Sequence, residues 1–146
     1  MIRVLCLSGP NLQLLGTREP GIYGTETLEQ IHERLRAEGA ALGAEVECAQ
    51  SNHEGVLCDR IGAAPGVYNG LLLNGAALTH TSLALYDALR AVALPCVEVH
   101  LSNPEAREPY RRASLIAPAC VGKVSGFGGE SYLLALRGLM GHLRKT

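Results

Sequence analysis

The sequence has no CxxC pair, no HxxxH and no HExxH, so the common spacings of a metal centre are missing. It has no charge excess either. Thirteen Lys and Arg against fourteen Asp and Glu leave a net charge of −1, which removes the electrostatic footprint of a nucleic-acid binder. No apolar run approaches the ~20 residues that a membrane-spanning helix needs. The opening residues MIRVLCLSGPN run straight into a strand pattern rather than a charged-then-apolar leader, so no secretory signal is expected. The five cysteines are odd in number and lack paired spacing, and Cys6, Cys96 and Cys120 sit in apolar segments. That is the pattern of buried reduced thiols and implies a cytoplasmic protein. What is present is a chain of 146 residues, 47% hydrophobic and 18% charged, enough for one domain with a real core.

Taken in order, residues 2–8 (IRVLCLS) form a short apolar run without clean alternation, which suits a strand buried on both faces. Thr27 with Gln30 matches a capping box and opens a helix along Leu28, Ile31, Leu35 and Leu42; Gly39 and Gly43 weaken and then end it. A second strand is expected over 44–50, a weaker helix over 54–64 and a third strand within 67–73, ending at Asn74. Thr79 or Thr81 is expected to cap a third helix over 81–93. The apolar stretch from Cys96 to His100 reads as the fourth strand, residues 118–125 as the fifth, and 130–143 as a final helix. Strand and helix alternate without a hairpin signal or an internal repeat. The expected fold class is therefore α/β, a flavodoxin-like doubly wound five-stranded parallel sheet in the order 2-1-3-4-5, forming a single domain over 1–146.

In such sheets ligands bind outside the carboxyl ends of the strands. The strand exits here read Ser8-Gly9-Pro10-Asn11, Ser51-Asn52-His53-Glu54, Asn74-Gly75, His100-Leu101-Ser102 and Gly126-Phe127, so Asn, Ser and His collect on one rim. The first exit opens a loop over 7–24 (LSGPNLQLLGTREPGIYG), far longer than the about 2–6 residues usual for such a connection. Its polar residues Asn11, Gln13, Arg18, Glu19 and Tyr23, packed down by leucines, read as a site loop or lid. Glu98 and His100 share one face of an otherwise apolar strand. A glutamate there is costly to bury unpaired, and a carboxylate that orients a histidine suits acid–base work. The bland alternative is an edge strand with a solvated face. Tyr23 could serve as a base opposite His100 if the Arg18 charge favours its phenolate; otherwise it is a loop tyrosine packing its ring.

Five blocks in order, GPNLQLLGTREPGIYG, QSNHEG, ALTHTSLALYDAL, VEVHLSNPEAREPYRR and SGFG, resemble the type II 3-dehydroquinases (3-dehydroquinate dehydratases) over essentially the whole chain. The resemblance implies trans-elimination of water from 3-dehydroquinate to 3-dehydroshikimate through an enolate, a reaction of the shikimate pathway and of quinate breakdown. No cofactor and no metal are implied. Residue by residue, Tyr23 matches the base, Arg18 the residue that lowers its pKa on the same mobile lid (about 16–25), and His100 the acid, oriented by Glu98. Asn11 matches the group that stabilises the enolate oxygen. Asn74 and the backbone of Leu101 and Ser102 match the carboxylate site, and His80 and Arg111 the groups that hold ring hydroxyls. Asp87 matches the residue that reaches a neighbouring subunit's site in a dodecamer built from trimers.

The chain has two lysines, Lys123 and Lys145, neither well placed for the Schiff base of the unrelated type I enzymes. It departs from the family pattern at Gln13, where a second Asn is usual, at Arg112-Ala113, and at Lys123, which replaces an apolar strand residue. Asn74-Gly75-Ala76 replaces Asn-Pro/Ala-Gly, which moves the conformationally permissive position by one residue. Two other readings remain. GFGGES before the last helix could belong to a flavodoxin-like nucleotide- or flavin-binding module, though it lacks both the GxGxxG spacing and a Walker lysine. The fold could also persist as a non-catalytic scaffold, which the joint presence of Arg18, Tyr23, Glu98 and His100 argues against.

Overall fold

The computed structural model describes residues 1–17 and 19–145, Tyr23 by its backbone alone. β1 (Ile2–Ser8) leads through a 3₁₀ turn (Leu12–Leu14) and a single helical turn α1 (Pro20–Tyr23) into α2 (Leu28–Ala41). β2 (Ala44–Gln50), α3 (Glu54–Gly62), β3 (Gly70–Asn74), α4 (Leu83–Val92), β4 (Cys96–His100), β5 (Gly122–Ser125) and α5 (Glu130–Arg144) follow. Among the described residues the strands form one sheet in the order β2-β1-β3-β4-β5, every neighbouring pair parallel. This is the expected doubly wound topology.

The unalternated apolar strands are explained by the two faces they serve. Val4 and Cys6 of β1 join Ile31 and Leu35 of α2 and Tyr132, Leu136 and Leu139 of α5 in one buried layer. Leu5 and Leu7 point the other way, onto Leu57 and Ile61 of α3 and Leu85 and Leu89 of α4. With successive side chains facing opposite ways, a strand covered on both sides must be apolar at every position. Each leucine so buried contributes about 1.5–3 kcal/mol.

The capping box of α2 is present: Gln30 N donates to Thr27 Oγ1 at 3.2 Å, and Thr27 N donates to Gln30 Oε1 at 2.9 Å. Gly39 is buried inside α2, where a Cβ would come within 2.6 Å of Val46 Cγ2. It lets helix and strand approach closely, two residues before α2 ends. The cap of α4 differs from expectation. Ser82, not Thr79 or Thr81, accepts from Leu85 N at 2.9 Å, because a 3₁₀ turn over Ala76–His80 takes up Thr79 and ends on Thr81 as its C-cap. The fifth strand is shorter than expected, its first part being a 3₁₀ turn over Ala117–Ala119. β5 is the sheet edge. β4 is interior and buried throughout, so the solvated-edge reading of Glu98 and His100 is removed.

Candidate active site

The carboxyl ends of β1, β3 and β4 enclose a cavity of about 190 Å³. The loop after β1 contributes Pro10, Asn11 and Leu12; the segment after β3 contributes Asn74, Ala76, Ala77 and His80; and β4 with its following loop contributes His100, Leu101, Ser102, Pro104, Arg107 and Arg111. Two arginines and two histidines line it, and among the described residues no carboxylate does. Such a cavity suits an anionic, hydroxyl-rich small molecule.

His100 stands at the end of β4 with 6% of its surface exposed, and Glu98 behind it has none. His100 Nε2 is hydrogen-bonded to Glu98 Oε2, and Ser114 Oγ donates to Glu98 Oε1 at 2.9 Å. Burial pushes the Glu98 carboxyl up, but the His100 hydrogen bond and charge, the Ser114 hydroxyl and the Lys123 ammonium outweigh it, and the net position is below the ordinary carboxylate value. Lys123 is accounted for by its register. It pairs with Glu98 across β4 and β5, which places its Nζ 3.9 Å from Glu98 Oε2 and 3.7 Å from Glu105 Oε1. His80 stacks against His100 with ring centroids 6.5 Å apart, and its Nδ1 lies 2.8 Å from the Ala113 carbonyl oxygen.

The floor is set by Asn74. Its Nδ2 donates to Tyr132 Oη at 3.0 Å, its Oδ1 accepts from Ala76 N at 3.0 Å, and Tyr132 Oη lies 2.9 Å from Ser8 Oγ. Burial drives the Tyr132 phenol far above its ordinary value, so it stays neutral and serves as a fixed hydrogen-bonding post. Among the described residues no protein acceptor takes the backbone N–H of Leu101 or Ser102. Two such donors at the rim are able to receive an anion. Gly9 lies against the neighbouring loop, where a Cβ would meet the Gly75 carbonyl oxygen at 2.7 Å. The permissive backbone position has not moved to Gly75, which has φ −72°; the left-handed residue is Ala76, at φ 50°. The turn is made at the cost of an alanine in a glycine conformation.

Asn11 is itself left-handed (φ 70°), a conformation asparagine tolerates. Its N–H donates to Asn52 Oδ1 at 2.9 Å, and Gln50 Nε2 is shared among Gly9 O, Gln13 Oε1 and Asn52 Oδ1 at 3.0–3.1 Å. The QSNH exit of β2 therefore braces the first loop rather than lining the cavity. Arg111 lines the wall with its Nε donating to Glu108 Oε2 at 2.8 Å. Of the expected site residues, Asn11, Asn74, His80, His100, Leu101, Ser102 and Arg111 meet at the cavity, with Glu98 directly behind. Asp87 is exposed on α4 and away from it. Arg18 and the Tyr23 side chain lie outside the described residues. The sequence reading did not single out Arg107, Ser114 or Tyr132. Arg107 was visible inside the NPEAREPYRR block, whereas nothing local marks Tyr132 as other than a core aromatic at the start of a helix.

The fold and the cavity define a doubly wound α/β protein with a cationic pocket and a carboxylate-backed histidine at the carboxyl edge of its sheet. The sequence profile of the family "Dehydroquinase class II" matches residues 2–140. The chain is 58% identical over 145 residues to the 3-dehydroquinate dehydratase of Parasynechococcus marenigrum (strain WH8102), covering 99% of each. It is 55% identical to that of Ruegeria pomeroyi, covering 98% of this chain and 96% of the relative. The crystal structure of the type II dehydroquinase of Butyrivibrio crossotus superposes with a TM-score of 0.92 at 39% identity, covering 94% of this chain and 97% of that one. The chain belongs to the class II dehydroquinase family.

Proposed function

We propose that the protein is a 3-dehydroquinate dehydratase that works by general acid–base elimination without a Schiff base. The observation that carries this is the cavity that His100, backed by buried Glu98, shares with Asn11, Arg107 and Arg111, in a chain of this family. A base takes the proton from the carbon next to the ketone, the electron pair moves into the enolate, the carbon–oxygen bond to the departing hydroxyl breaks, and His100 supplies the proton that makes it water. Tyr23 is the base in this reading, with Arg18 favouring its phenolate. Asn11 stabilises the enolate oxygen. Asn74 and the N–H groups of Leu101 and Ser102 take the carboxylate, while His80 and Arg111 hold ring hydroxyls. The residue that the lone chain leaves away from the cavity, Asp87, is assigned to a neighbouring subunit's site, in a dodecamer built from trimers. Proton transfer with loss of water neither oxidises nor reduces the substrate, so the chemistry calls for no redox cofactor.

The test is an ultraviolet assay for the conjugated enone product, with Tyr23→Phe and His100→Ala beside the wild type. Turnover by the wild type and a fall of about 10²–10⁴-fold in each variant is expected. A folded wild type that leaves the substrate unchanged overturns the proposal.

A further inference from the structure

Glu98 has more partners than the orientation of one imidazole requires. One of its oxygens accepts from Ser114; the other takes both His100 Nε2 and, from the edge strand, the Lys123 ammonium. The β4–β5 register that pairs Glu98 with Lys123 also pairs His100 with Ser125, so the lysine reaches Glu98 from behind, away from the cavity. Lys123 is not among the cavity-lining residues. Its side chain is 28% exposed, held between the buried Glu98 and the outer Glu105.

We propose that Lys123 is a positioning residue for the acid: it shares the Glu98 carboxylate with His100 and compensates that carboxylate when His100 gives up its proton. This deepens the reading of His100 as the acid and rests on it. While His100 is charged, the pair it forms with Glu98 is neutral overall. Once the proton leaves, a carboxylate with no exposed surface would keep only the Ser114 hydroxyl and a neutral ring beside it, and a buried charge without a counter-charge is among the most unfavourable states a protein interior can hold. A cation 3.9 Å from the same oxygen keeps that state accessible. It also draws off part of the pull that Glu98 exerts on the imidazole proton, which an acid has to release. The other groups facing His100 are the stacked His80 ring and, along the cavity, Arg107 and Arg111. Arg111 is paired instead with Glu108. Glu105 is mostly solvated and acts as a tether for the lysine.

The experiment compares wild type, Lys123→Met and Lys123→Arg by steady-state kinetics across pH and by ¹⁵N NMR titration of the His100 imidazole. In Lys123→Met, kcat is expected to fall about tenfold with KM within about twofold, since the effect falls on proton transfer rather than binding. The alkaline limb of kcat and the imidazole titration should both move to higher pH by about half a unit or more. Lys123→Arg should restore both to near wild type. Wild-type kcat and an unmoved titration in Lys123→Met overturn the proposal, and so does a Lys123→Arg variant as impaired as Lys123→Met, which would mark a packing role. Should the wild type fail to turn over 3-dehydroquinate, the functional reading fails by that result alone. The imidazole titration then still decides whether Lys123 acts on the pair.

Discussion

The wall of the cavity that carries His100 rises from β4, every residue of which is buried, and buried side chains tie its polar groups together: His100 and Ser114 to Glu98, Asn74 to Tyr132, Tyr132 to Ser8. The facing wall is a loop whose Asn11, Gln13 and Leu14 are exposed, held by the amides of Gln50 and Asn52 and by two residues in left-handed conformations, Asn11 and Glu19. The first wall is positioned by the core and cannot change without stranding buried polar atoms. The second is anchored by the buried Leu12 and Leu15, but its polar face is positioned by surface hydrogen bonds, each worth about 0.5–1.5 kcal/mol. In the proposed mechanism the acid stands on the first wall, while the base belongs to the chain of the second. An acid has to hold a fixed tautomer and partner, whereas a loop that closes over substrate has to be cheap to move.

That contrast can be broken most severely at Glu98. Glu98→Ala leaves His100, Ser114 and Lys123 without their shared acceptor and should cost about 3 kcal/mol of stability, read by urea unfolding. The sign of its pH dependence follows from the carboxyl lying below its ordinary value. The stability it contributes is fully present above the unfolded carboxyl value of about 4.3 and is lost as pH falls through the lower folded value. Glu98→Gln should remove that acid-side slope, and an unchanged slope would show that the pair is not ionised in the folded protein. Next in size is Tyr132→Phe, which strips one hydroxyl from a fully buried ring and leaves Asn74 Nδ2 and Ser8 Oγ short of a partner. A loss of about 1–3 kcal/mol is expected, with KM raised because Asn74 is no longer held.

On the opposite wall, Gln50→Ala should cost only about 1 kcal/mol and show itself mainly as a rise in KM of about threefold. A stability loss as large as that of Tyr132→Phe would erase the distinction between the walls. The smallest effect is a gain. Ala76 at φ 50° pays about 1–2 kcal/mol for a left-handed backbone, and glycine there gives back about 0.5–1 in the unfolded chain. Ala76→Gly should therefore raise stability by about 0.5 kcal/mol, measurable as a small increase in Tm.

Much of this architecture was legible from local pattern. The β2 and β4 boundaries, the Thr27–Gln30 capping box and the sheet order agree with the sequence reading. Period-2 spacing alone put Glu98 and His100 on one face. The misplaced cap of α4 shows where local rules stop. Three hydroxyl residues, Thr79, Thr81 and Ser82, compete for that role, and the choice among them depends on how the chain leaves Asn74. The permissive position was also misjudged at Gly75. That glycine is required for space, since a Cβ there would meet Thr79 Oγ1 at 2.7 Å, and composition does not distinguish a glycine kept for room from one kept for its dihedral angles.

By itself, the sequence determined which residues belong to strands and helices, which strand ends deliver polar groups, and which of those groups share a face. Period and capping chemistry are properties of a few neighbouring residues. Only the tertiary structure decided that Lys123 completes the Glu98 pair, that Tyr132 holds Asn74, and that Gln50 braces the first loop. Those partners are 25, 58 and 37–41 residues apart along the chain, and strand register and helix packing, not any local preference, bring them within hydrogen-bonding or ion-pairing distance.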